Sequence, residues 1–62
     1  MTTSAAELGS IITQLTELAD RLGQAGDDFN EAPTEDVATA LYEAERAIRT
    51  ALRATDRARN NV

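Results

Sequence analysis

Two runs of apolar residues at spacings of three and four, broken once by a segment bearing glycine and proline, constrain this chain more than any other feature. The first run is Leu8, Ile11, Ile12, Leu15, Leu18, Ala19 and Leu22. The second is Val37, Leu41, Ala44, Ile48, Ala51, Thr55, Ala58 and Val62, with Leu52 beside them. Such spacing places each set on one stripe of an α-helix, because residues three and four apart lie on the same face. Ser4 followed by Glu7 fits a capping box, in which the serine hydroxyl accepts an orphan backbone N–H at the helix start. Gly23 sits where a C-terminal cap belongs. The run from Gly23 to Pro33 shows no periodicity and reads as a loop. Thr34 then caps a second helix, with Glu35 and Asp36 in the first turn where the helix dipole favours negative charge.

The fold expected is all-α: a single helical-hairpin domain over residues 1–62, with helices over about 5–22 and about 35–59 and a loop over about 23–33. Laying the helices antiparallel pairs Leu22 with Val37, Leu18 with Leu41, Leu15 with Ala44, Ile11 with Ile48 and Leu8 with Leu52, which puts Leu15 and Ile48 at the centre of the contact. The alanines at 40, 44, 47, 51, 54 and 58 form a smooth face that another helix could approach closely.

Composition shows why one hairpin is too little. Of 26 apolar residues, 12 are alanine and two are aromatic, so the core is thin. Domains below roughly 70–80 residues usually add disulfides, a metal or oligomerisation. With no cysteine and no histidine, neither a disulfide framework nor a Cys/His zinc site is available. Ile12, Ala19 and the alanine face cannot all point at one partner helix, so two hairpins pairing into a four-helix bundle is the simplest remedy.

The same inventory speaks against catalysis. Histidine, cysteine and lysine, the commoner bases and nucleophiles, are absent, and no serine lies in a GxSxG elbow. Glu43 and Glu45 project about 200 degrees apart on a helix, and the di-iron pattern needs a histidine. Asp27, Asp28, Asn30 and Glu31 carry oxygen ligands, but without the central glycine and the terminal bidentate glutamate of a calcium loop. No catalytic residue, cofactor or metal is expected. Phe29, the only phenylalanine, is expected to fold over the end of the bundle as a lid, the other reading being an exposed anchor for a partner.

Charge is unevenly placed along the chain. Residues 1–45 carry ten acids and only Arg21, whereas residues 46–62 carry five arginines and Asp56, giving a net charge of -5. On helix 2, Arg46, Arg49, Arg53 and Arg57 fall within about 80 degrees of one another, opposite the apolar stripe, with Tyr42 on the same face. Guanidinium forks suit phosphate or carboxylate, so this ridge and Phe29 are the candidate partner-binding residues. The alternative is a solvated face supported by Glu45–Arg49 and Glu43–Arg46 pairs.

In size and layout, two helices joined by one loop, the chain resembles the Rop-like hairpin dimers, which bind RNA. The likeness is one of layout and carries no residue across. It implies a second function class: a small nucleic-acid-binding regulator using the arginine ridge. The leading expectation is a non-enzymatic, self-associating interaction module that regulates or bridges larger proteins. A second copy of the chain is the expected partner, another protein the next, and nucleic acid ranks behind both because the net charge is negative. No apolar stretch approaches the roughly 18 residues of a membrane span, and the amino terminus shows no basic start or apolar signal core, so a cytoplasmic location is expected with no membrane contact.

Overall fold

The computed structural model describes residues 2–62 and consists of two α-helices, α1 (Ala5–Asp28) and α2 (Glu35–Asn60), packed against each other as an antiparallel hairpin. Its dimensions are 47 × 17 × 14 Å. Among the described residues no helix is long and apolar enough to cross a membrane.

Ser4 starts α1 as expected, its Oγ accepting the Glu7 N–H at 3.1 Å. The far end differs. The helix does not stop at Leu22 but runs through Gly23 and Gly26 to Asp28, and the loop shrinks to residues 29–34. Neither glycine has a positive φ, so neither acts as a left-handed cap. They are needed for a different property, the missing side chain. A Cβ on Gly26 would lie 2.6 Å from the Tyr42 ring, and one on Gly23 would lie 3.0 Å from the Glu45 carboxylate. Glycine at these points lets α2 side chains rest directly on the α1 backbone.

The longer first helix moves the register. Where the expected pairing sets Leu22 against Val37 and Leu18 against Leu41, the Tyr42 ring instead rests on Gly26 and the Glu45 carboxylate on Gly23. Gly23 against Glu45, Asp20 against Arg49 and Gly9 beside Arg59 follow the same register along the hairpin. Leu15 and Ile48, expected at the centre of the contact, are half-buried rather than buried. The contact is built on small residues instead: Ala19, Gly26 and Ala38 are the only buried positions among the described residues.

Thr34 occupies the N-cap of α2, yet its hydroxyl turns back into the loop and donates to the carbonyls of Phe29 (2.9 Å) and Glu31 (3.0 Å). The Val37 N–H in the first turn is shared between Asp36 Oδ1 at 3.0 Å and the Thr34 carbonyl at 3.1 Å. Five threonines inside the helices return their hydroxyls to the carbonyl four residues earlier, which satisfies them without a tertiary partner.

Two glycine substitutions should have opposite signs. At Gly9 a Cβ meets Arg59 at an ordinary 3.7 Å, so Gly9→Ala should stabilise by about 0.5–1 kcal/mol through helix propensity. Gly26→Ala gains the same propensity but drives the Tyr42 ring away, and overpacking of this kind costs about 1–3 kcal/mol. Urea unfolding followed by circular dichroism measures both, and stabilisation by both variants would reject the register.

Candidate interaction faces

The hairpin has two open faces, and the register decides what each presents. On one, Tyr42 is seated over Gly26 and donates from its hydroxyl to Asp27 Oδ1 at 2.5 Å. One turn along α2, Glu45 lies over Gly23 and accepts from Arg49 Nε at 3.2 Å and Nη2 at 2.9 Å. The same Arg49 Nη2 reaches across to Asp20 Oδ1 at 3.1 Å on α1. Near the open end Arg59 pairs with Asp56 of its own helix. These groups form a polar edge in which acids from both helices clamp one phenol and one guanidinium.

Both clamps act on protonation. The hydrogen bond to Asp27 raises the Tyr42 phenol above its usual 10.0, helped by desolvation and by the Asp27 and Glu45 charges. Hydrogen bonds to Glu45, then to Asp20, hold the Arg49 proton more firmly than usual despite some desolvation.

The expected arginine ridge is thus only partly a free surface. Tyr42, Arg46, Arg49 and Arg53 do come together, lining an open groove of about 470 Å³, but Glu45 shares it. Tyr42 and Arg49 are half-buried at the edge of the interhelix contact rather than on a fully solvated face. Arg57 lies outside the groove lining and is exposed. Of the two helix pairs expected on this face, Glu45–Arg49 forms; among the described residues Glu43 and Arg46 make no ion pair. Phe29 does not close over the hairpin as a buried lid. It ends α1 with 42% of its surface exposed, its N–H bonded to the Gly26 carbonyl.

The opposite face is apolar. Asp20 and Asp27 fix the polar edge of α1, so Ile11 and Leu18, about 160 to 200 degrees round the helix from Asp20, belong to the other edge. On α2 the corresponding edge carries Val37, Ala44 and Ala51, five positions before Tyr42 and Arg49 or two after. Ile11, Leu18 and Val37 are each 40–43% exposed, while Leu15, Leu22, Leu41 and Ile48 beside them are half-buried. Except for Ala44, the alanine face at 40, 47, 51, 54 and 58 is exposed.

Asp20 and Asp27, on the other helix, reach Arg49 and Tyr42, cross-helix partners that a single-helix reading of charge did not assign. A signal for the packing side did exist in the sequence: Ile12, Ala19 and Gly26, and likewise Gly9, Thr16 and Gly23, recur at seven-residue intervals, the heptad spacing of a helix pair. No protein-family model matches the chain, and neither a curated protein nor a solved structure matches it.

Tyr42 is the only tyrosine, so an ultraviolet absorbance titration reads it alone. Its midpoint should lie above pH 10, and Asp27→Asn should bring it down toward the ordinary value. Because the folded value is raised, the stabilisation from this bond is present below pH about 10 and disappears as pH climbs through the folded value. A titration indifferent to Asp27→Asn would show that the bond does not hold in solution.

Proposed function

We propose that this hairpin is a non-enzymatic, self-associating interaction module that pairs with a second copy to make a four-helix bundle and in that form regulates or bridges larger proteins. The observation that carries the reading is the absence, among the described residues, of any buried side chain larger than alanine beside a face that leaves Ile11, Leu18 and Val37 two-fifths exposed.

Surface area supports it. A compact globule of 6.7 kDa would expose roughly 3,900 Å², and this hairpin exposes 4530 Å². Of the roughly 9,700 Å² that an unfolded chain of this mass exposes, folding into a lone hairpin removes about half, less than is usual even for a small domain. Apolar burial is the main favourable term in folding, so a shortfall on one long face favours covering that face.

A nucleic-acid regulator is the second reading, favoured by the groove in which Arg46 and Arg53 stand beside Tyr42 without, among the described residues, a carboxylate partner of their own. Arg49 counts against it, since two acids already occupy its guanidinium. A nucleic-acid complex would show log K falling with log salt by about 0.7 to 0.9 per phosphate neutralised.

Sedimentation at micromolar concentration should give about 13.4 kDa, twice the 6.7 kDa of one chain, and the melting temperature should rise with protein concentration. Leu18→Glu, placed on the apolar face away from the interhelix contact, should abolish both effects. A 6.7 kDa species with a concentration-independent melt would overturn the proposal. A micromolar, salt-sensitive complex with RNA or DNA, lost in the quadruple Arg46, Arg49, Arg53 and Arg57 to glutamine variant, would favour the second reading.

A further inference from the structure

Self-association leaves the orientation of the two copies open, and the charge layout of the folded hairpin selects one. The molecule divides into a loop half, residues 17–51, and an open half, residues 2–16 with 52–62. The loop half carries nine acids against Arg21, Arg46 and Arg49, a balance of -6. The open half carries Glu7 and Asp56 against Arg53, Arg57 and Arg59, a balance of +1. Together they make up the net -5. Between residues 22 and 45 there are seven acids and no base. The hairpin is a rod 47 Å long with one strongly acidic end.

On this basis we infer that the partner is a second copy of this chain docked antiparallel across the apolar face, with the acidic loop half of each hairpin over the basic open half of the other. The inference rests on the self-associating reading above and adds its surface and orientation. Parallel docking would stack two -6 halves side by side, each within about a Debye length (about 10 Å at 0.1 M salt) of its like, whereas antiparallel docking sets -6 against +1 at both ends. The face fits in size as well. Its 47 by 17 Å outline covers about 800 Å², the area each partner contributes to an interface of standard size. A two-fold axis across the middle of the face sets α1 over its own copy and α2 over its own copy, each pair running antiparallel.

The chain has no cysteine, so single cysteines placed at its ends report orientation without interference. Asn30→Cys marks the loop end and Asn61→Cys the open end; both positions are exposed and the molecule is 47 Å long, far beyond the reach of a short bismaleimide. When the two variants are mixed and treated, the expected product is the mixed 30–61 dimer, with each variant alone giving none. Same-site products from either variant alone would overturn the orientation while leaving self-association intact. A 13.4 kDa species that gives no cross-link of any kind would overturn the face. A 6.7 kDa monomer by sedimentation would overturn the self-associating reading and this inference with it. As a second measurement, Arg53→Glu with Arg57→Glu changes the open half from +1 to -3 and should weaken the dimer about tenfold at low salt. An unchanged dissociation constant would remove the electrostatic ground for the orientation.

Discussion

The contact of the Tyr42 ring with the bare backbone at Gly26 sets the rest of the structure. It places α2 against α1 at the loop end, and the Asp27 carboxylate holds the ring there through its hydroxyl. Once that contact is made, helical geometry carries the register down the hairpin at 1.5 Å per residue. Glu45 then falls over Gly23 and Arg49 falls within reach of Asp20. A side chain at position 26 would push the helices apart at the one place where the loop keeps them close.

Seen this way, the unequal faces are one arrangement rather than two. Turning Tyr42, Glu45 and Arg49 toward the small residues of α1 spends the edge of the contact on polar and amphipathic groups. The larger aliphatic residues Leu18 and Ile11 lie toward the far side, where each stays two-fifths exposed. Hydrogen bonds and ion pairs at half-exposed sites add little stability each, and the thin contact of Ala19, Gly26 and Ala38 adds little burial. The second hairpin proposed above would cover the face that these same side-chain choices leave open.

Much of the fold was legible in the sequence, and the part that was not traces to two residues. The stripes gave two helices, and Ser4 and Thr34 marked where each begins. Gly23 and Gly26 read as punctuation because glycine has two uses, a left-handed backbone and a missing side chain, which a single sequence does not separate. Taking the first use ended α1 six residues early and displaced every cross-helix pair. The arginine ridge suffered accordingly. Its members could be placed on α2 by periodicity alone, but the cross-helix acids Asp20 and Asp27 that reach Arg49 and Tyr42 come from α1, where only the true register brings them into reach. Phe29 was misplaced for the same reason: in a helix running to Asp28 it is a terminal residue beside the solvent, not the middle of a long loop.

The cross-helix hydrogen bonds, Tyr42 to Asp27 and Arg49 to Asp20, both lie in the loop half. In the open half, Arg59 pairs within its own helix and no such bond ties the two strands of the hairpin together among the described residues. That half therefore resembles the loose end of a zipper, where local opening costs least and amide hydrogens exchange soonest. Two hairpins lying head to tail would each hold the other's unfastened end against a fastened one, so that docking completes folding. Association and the last stage of ordering would then be a single cooperative step.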